Sequence, residues 1–374
     1  PRAITAYRAA VEMDRNHVGA HAALADLYMR DAAAAPLAVQ EHLAVLRLDP
    51  TRLESLHSLF RLWEGLRQTD KAFAAAAVLH FLRAANEVEG AYFNEARNRL
   101  GTERPEKLLP SDLDAILHPA ARNPVVEVFR AMGDQLDKIH PPQLESLGVD
   151  RKQDKLKPDH AVFKAVRSLA QIFGVEEFEV YQARRGIMTL ETTEPLSVCV
   201  GQDVIRKFNA REQKFLIGRA VLGLANKTAV LTKLSTGEAA ELVASAVRVH
   251  QPQFALFGRR NEELVRTLRK AFSRKALKNL EAPSQTLAYA QKLDLQETLD
   301  GITWSGDRAG MLMCGDISAG LSLVLREDPN MGAKVEAPEQ IAEAVRQRVD
   351  MKALISFALS DEFFRLRQKL GLSV

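Results

Sequence analysis

Side chains able to do covalent or metal chemistry are few in this sequence, and they are unevenly spread. There are nine histidines (His17, His21, His42, His57, His80, His118, His140, His160 and His250), of which only His250 lies beyond residue 160. Zinc takes imidazole, thiolate or carboxylate donors, so a two-histidine zinc site cannot be assembled from the stretch after His160. His118 and His140 each precede a proline and have no partner at metal-ligand spacing, which makes them loop histidines. The two cysteines, Cys199 and Cys314, are too few for a disulfide framework and suit a reducing compartment. Cys314 sits among apolar neighbours in Met311-Leu312-Met313-Cys314-Gly315-Asp316, the setting of a buried structural thiol rather than a nucleophile. No glycine-rich phosphate loop ending in Gly-Lys-Ser or Gly-Lys-Thr is present. These residues point to no catalytic group, no bound metal and no cofactor.

One run of charge stands out. Arg259, Arg260, Arg266, Arg269, Lys270, Arg274, Lys275 and Lys278 face only Glu262 and Glu263, while Leu264, Leu268 and Phe272 recur every four residues. That pattern predicts one amphipathic helix over 259–278 with a basic outer face. Such a face can neutralise phosphates, but no aromatic is interleaved for base stacking and no nucleic-acid motif accompanies it. A solvated face is the first reading, an acidic protein partner the second, and nucleic acid or lipid the third. The whole chain agrees, since 51 Lys plus Arg against 48 Asp plus Glu gives a net charge of only +3.

The elements that must position these residues fall into two regions. A chain of 374 residues with 47% hydrophobic content can form more than one cored domain. Its longest apolar runs, such as 74–82, are far shorter than the roughly 20 residues of a membrane span, so a cytoplasmic protein is expected. The strongest periodicity is internal. Leu24, Ala25 and Tyr28 return 35 residues later as Leu59, Phe60 and Trp63, and Ala38, His42 and Val45 return after 34 as Ala72, Ala76 and Leu79. Ala3, Tyr7 and Ala10 fit the same phase, and Asp14 and Asp49-Pro50 supply the turns between units.

This spacing resembles the tetratricopeptide repeat, although His21 and Leu56 replace its usual large aromatic and an extra residue falls between Asp31 and Pro36. The resemblance implies an α-solenoid over 1–100. A chain that begins inside a helical pattern is expected to have lost upstream repeats, and the charged helix 87–99 reads as the end of the array. The resemblance also implies a concave face that holds a protein or peptide partner, lined by Asp26, Met29 and Arg30 from one unit and His57, Arg61 and Glu64 from the next.

Seven prolines between 101 and 158 break helices repeatedly, and the charged stretch 150–158 reads as a connector, so 101–158 is expected to be a helical linker region. Within it, Asn123-Pro124 opens one firm helix with apolar spacing. From 159 to 374 the pattern is α+β: a helix over 161–173, three short strands at 177–181, 187–192 and 196–200, then helices only. The fold class is therefore mainly α, a solenoid followed by an α+β domain with a small sheet. Phe357, Phe363 and Phe364 are expected to pack the helical tail onto that second domain.

Two places in it, Glu212 through Gly223 and Thr303 through Gly310, resemble gluzincin-type zinc metallopeptidases related to the CAAX-prenyl proteases. In that family one helix carries H-E-x-x-H and a later one adds a Glu in an E-x-x-x-D pattern. The likeness puts Arg219 and Gly223 at the two histidines, Ala220 at the catalytic glutamate, Thr303 at the third ligand and Asp307 at the following aspartate. None of the first four can bind zinc or act as the base. The expected function is a non-catalytic scaffold, a repeat array gripping a partner and a degenerate metallopeptidase-like module giving a second contact surface. The rivals are an active peptidase with an unrecognised site, and an anionic-partner binder using 259–278.

Overall fold

The computed structural model describes residues 2–100, 105–133, 135–290, 292–327 and 337–374. It is mainly helical. Six helices come first: α1 (Arg2–Met13), α2 (Val18–Tyr28), α3 (Ala35–Leu48), α4 (Leu53–Gly65), α5 (Thr69–Phe81) and α6 (Glu87–Arg99). Then follow α7 (Pro110–Ile116), α8 (Pro124–Met132), α9 (Ala161–Ile172) and the strands β1 (Glu179–Ala183), β2 (Met188–Glu191) and β3 (Ser197–Gly201). After the sheet come α10 (Val204–Lys207), α11 (Ala210–Ala225), α12 (Thr236–Arg248), α13 (Glu262–Ala271), α14 (Arg274–Ala288) and α15 (Leu295–Cys314). The tail forms α16 (Ile317–Arg326), α17 (Pro338–Gln347), α18 (Val349–Ala358) and α19 (Asp361–Lys369). None of the described helices is long and apolar enough to cross a membrane.

Two compact units result, Pro1–Glu106 with Cys314–Val374, and Lys107–Met313. These differ from the expected division at 100 and 158 for a physical reason at each end. The apolar faces of α16 and α18 pack on α5 and α3, so the tail belongs to the first unit. Within the supposed linker, α8 buries Val125, Val128, Phe129 and Met132 against α12 and α14, which makes it part of the second unit's core.

In the first unit each of α1 to α6 packs on its neighbour in sequence. Caps set the boundaries. The His17 side chain accepts from Ala20 N–H at the start of α2, Pro36 fits the first turn of α3, and Asn86 and Glu89 form a reciprocal capping box on α6. The residues in repeat phase are buried, both the set Leu24, Ala25, Tyr28, Leu59, Phe60, Trp63 and the set Ala38, His42, Val45, Ala72, Ala76, Leu79. In α1 the equivalent Ala3 and Tyr7 are exposed. Helix α5 has no solvated face from Ala72 to Leu79, because α4, α6 and α16 all pack on it.

The tail phenylalanines lie in this unit rather than on the second domain. Phe364 meets Trp63 edge-on at 6.1 Å, and Phe357 and Phe363 meet at 5.2 Å. The anchor is Arg367, which is 0% exposed. Its Nε and Nη2 donate to the Asp70 carboxylate at 3.0 and 2.8 Å, and Nη1 and Nη2 donate to the carbonyls of Gly315 and Leu372 at 3.0 and 2.6 Å. The guanidinium also lies against the rings of Phe73 and Phe363, at 5.3 and 5.5 Å.

In the second unit β3 is central, parallel to β1 and antiparallel to β2, in the order β1-β3-β2. Each of the three expected strands is found within two residues of its expected start. Helix α11 packs on the edge strand β2. The single helix expected over 259–278 is two, α13 and α14. Phe272 leaves the helical path at φ −80°, ψ 139° to bury its ring in the core, and Ser273 Oγ accepts from Ala276 N–H to start the next helix.

Two outcomes follow for the first unit. Arg367→Met leaves the Asp70 carboxylate without its cation, and breaking a buried pair on one side costs about 3–5 kcal/mol. Denaturant unfolding read by Trp63 fluorescence in a Trp304→Phe background should show that loss, with part restored by adding Asp70→Asn. The second outcome concerns acid. Burial pushes His42 down to about 4 from its ordinary 6.5, against the pull of Asp26 and with the help of Arg61. Its neutral form contributes stability that is whole above pH 6.5 and is lost as pH falls from there toward 4. His42→Gln should reduce that slope in pH-dependent melting, leaving the shares of His80 and, in the second unit, of His118 and His140, whose values burial also lowers.

Candidate functional site

The motif positions of the second unit converge where α15 crosses α11. Helix α11 starts firmly, with Asn209 accepting from the N–H groups of Arg211 and Glu212 while the Glu212 carboxylate accepts from Asn209 N–H. Three glycines then bring the helix backbones together. A Cβ on Gly218 would stand 2.8 Å from the Ala309 carbonyl, one on Gly310 would stand 2.8 Å from the Phe215 carbonyl and ring, and one on Gly306 would stand 2.9 Å from Arg219 Cγ. Small residues at a helix crossing thus open the space into which Arg219 folds. Its Nη2 lies 2.7 Å from Asp307 Oδ1, and its guanidinium lies 5.1 Å from the Phe215 ring.

Beside this ion pair is a cavity of about 340 Å³. Its polar lining includes Arg219, Asn226, Thr303 and Asp300, and its apolar lining includes Leu190 and Leu299. The structure therefore brings together Arg219, Gly223 and Thr303 on the cavity wall, with Asp307 held behind by Arg219. Ala220, on the same helix, is buried. Gly223 is where the sheet touches the helix, since a Cβ there would stand 2.4 Å from Leu190 Cδ1. The Thr303 hydroxyl donates to the Leu299 carbonyl at 3.2 Å and Asp300 accepts from Gln296 at 2.8 Å. Among the described residues no group of three or more His, Cys, Asp or Glu side chains is arranged to hold a metal ion. Burial pushes the Cys199 thiol up to about 12, far from thiolate chemistry at neutral pH. Cys314 is buried and donates to the Asp316 carbonyl at 3.3 Å.

In the first unit the predicted concave residues split. Asp26, Arg30, Arg61 and Glu64 are exposed. Met29 is half-buried, its Sδ 3.3 Å from His42 Nε2, while His42 Nδ1 lies 3.2 Å from Ser55 Oγ of α4. His57 is committed internally, its Nδ1 2.7 Å from the Oε1 of Glu89, a carboxylate that is 2% exposed. Sequence reasoning missed Tyr92, which packs edge-on against Phe60 at 5.3 Å and donates to the Thr69 carbonyl at 3.1 Å. Burial and the carboxylates of Glu64, Asp70 and Glu95 hold its pKa above the usual phenol value. The signal was available, because Tyr92 stands 35 residues after His57.

The basic residues Arg259, Arg260, Arg266, Arg269, Lys270, Arg274, Lys275 and Lys278 are all exposed. Arg260 pairs with Glu262 and Arg269 donates to the Val249 carbonyl at 2.8 Å. No protein-family model, curated protein or solved structure matches this chain.

The Leu190 contact generates an outcome for motif restoration. Arg219→His, Ala220→Glu, Gly223→His should yield protein without stoichiometric zinc by elemental analysis after dialysis. The new side chain at 223 meets Leu190, and Asp307 loses its cation. Gly223→Ala alone should destabilise by about 1–3 kcal/mol through overpacking, and Leu190→Ala added to it should recover much of that in melting experiments.

Proposed function

We propose that the chain is a non-catalytic interaction scaffold, in which the helix pairs of the first unit hold a protein or peptide segment and the cleft of the second offers another contact surface. The proposal includes the tetratricopeptide and degenerate metallopeptidase resemblances, and a cytoplasmic setting that keeps Cys199 and Cys314 as thiols. The observation that carries it is Arg219. A guanidinium is protonated at any physiological pH, donates only, and cannot serve as a metal ligand or base. It occupies the cleft and is paired with Asp307 at 2.7 Å. Support for the array comes from α2 to α5, which bury the repeat-phase residues and leave Asp26, Arg30, Arg61 and Glu64 in solvent. An anionic partner on α13 and α14 is the second reading, favoured by five exposed cations on them (Arg266, Lys270, Arg274, Lys275 and Lys278) and by Arg259 just before α13, for which no carboxylate partner is found among the described residues.

A displayed peptide library selected on the full chain tests both. Selected peptides should bind Arg30→Glu with Arg61→Glu about tenfold or more weakly, and the same peptides should be recovered uncut by mass spectrometry. Loss on Arg266→Glu with Lys270→Glu instead moves the partner to α13 and α14. Cleavage of the peptides that a chelator abolishes establishes a peptidase.

A further inference from the structure

The cavity beside Arg219 holds a donor that the protein itself does not use. Asn226 closes the C-terminus of α11 and is only 3% exposed. Its Oδ1 accepts from both Nε and Nη2 of Arg130, at 2.9 and 2.7 Å. Those two guanidinium donors fix which end of the amide faces them, since only oxygen can accept. The Nδ2 end is turned from Arg130, makes no hydrogen bond with any described residue, and belongs to a side chain that lines the cavity. This N–H is left to the water of the cavity, where an acceptor brought by a ligand can take the water's place.

The rest of the lining says what carries that acceptor. Arg219, with 31% of its side chain exposed, adds a cationic donor on the same wall. The apolar walls are purely aliphatic, Leu190, Leu222, Leu231, Leu234, Leu299 and Ile302, with no aromatic ring among the lining residues. A carboxylate accepts from amide and guanidinium donors together, and its charge-assisted bonds are roughly twice as strong as neutral ones. An aliphatic branch next to it removes leucine surface from water at roughly 25 cal/mol per Å². We propose that this cavity binds a carboxylate bearing a branched aliphatic group, its oxygens taken by Asn226 Nδ2 and the Arg219 guanidinium and its branch held by the leucine walls. The same chemistry can come from a free short-chain acid, an aliphatic amino acid or the C-terminal residue of a peptide. The inference stands apart from the scaffold reading, because it needs neither the repeat array nor any family resemblance.

Calorimetric titration of the full chain with four probes tests it: 4-methylpentanoate, free leucine, N-acetylglycyl-leucine, and the C-terminal amide of that last compound. At least one of the acids should bind at one site per chain, and the amide should bind about tenfold or more weakly than its parent acid. Preference among the acids identifies the source, with free leucine best if Asp300 takes its ammonium group and the dipeptide best if a chain terminus is the natural ligand. Asn226→Asp retains an acceptor for Arg130 while replacing the cavity donor with a negative charge, and should weaken the acid about tenfold or more. Thr303→Phe, at an exposed position on the cavity wall, should block binding without loss of helical content by circular dichroism. No binding by any acid overturns the proposal, as does equal binding of acid and amide, or undiminished affinity in Asn226→Asp.

Discussion

Helices in this protein come as close as they do because side chains are missing where they meet, and the remaining features are arranged around that contact. In the second unit Gly218, Gly306 and Gly310 let α15 lie against α11 with a backbone carbonyl 2.8 Å from where a methyl group would be. In the first, the run of alanines from Ala74 to Ala77 lets α5 be enclosed on all sides. Glycine within a helix costs roughly 1 kcal/mol in propensity relative to alanine, so three on one crossing are retained for the approach itself. Dispersion between tightly matched surfaces offsets that cost. The approach also fixes the cleft, since Arg219 can fold over α15 only where Gly306 has no side chain.

Among the charge pairs that each unit buries or half-buries, one is built on an arginine that also lies against aromatic rings. Arg367 with Asp70 in the first and Arg219 with Asp307 in the second are both multiply engaged, by carboxylate on one side and aromatic rings on another. A planar guanidinium suits this because it can take hydrogen bonds along its edge and stack on its face at once. Apolar residues of similar volume would pack with less desolvation. Register is what the pair supplies instead: Arg367 satisfies Asp70, Gly315 and Leu372 together in a single placement of α19, whereas phenylalanines alone would accept several.

Much of the local structure was legible in the sequence. The 34- to 35-residue period placed α2 to α5, Asn209 with Glu212 announced α11, and β-branched and aromatic residues marked the three strands. What was not legible was partnership at long range. Phe357, Phe363 and Phe364 read as core residues from their spacing, but nothing local says that the core in question contains Trp63 and Phe73, nearly 300 residues earlier. Prolines between 101 and 158 suggested a linker, because they report on backbone continuity and not on burial, and the apolar face of α8 finds its partners on α12 and α14. The break at Phe272 was masked in a similar way. Leu264, Leu268 and Phe272 keep helical spacing up to the turn, and only Ser273, a good cap residue, signals the new start.

The candidate cleft shows the same limit at the scale of single atoms. From the sequence, Arg219, Gly223 and Thr303 are absences, residues that cannot do what the resembled family does at those positions. In three dimensions they have positive roles: Arg219 brings a fixed cation, Gly223 admits Leu190, and Thr303 forms part of the wall. The cleft stays open beside them because the glycines at the crossing, Gly218, Gly306 and Gly310, set the spacing between α11 and α15 by themselves. Space of about 340 Å³ persists next to a cation, with Asn226 held in one orientation by Arg130. That pairing could not be read from the sequence, since Arg130 lies 96 residues before it. A donor fixed by a second residue and lodged in an aliphatic pocket has a definite preference for what it meets, so the cleft has binding chemistry of its own whatever its origin.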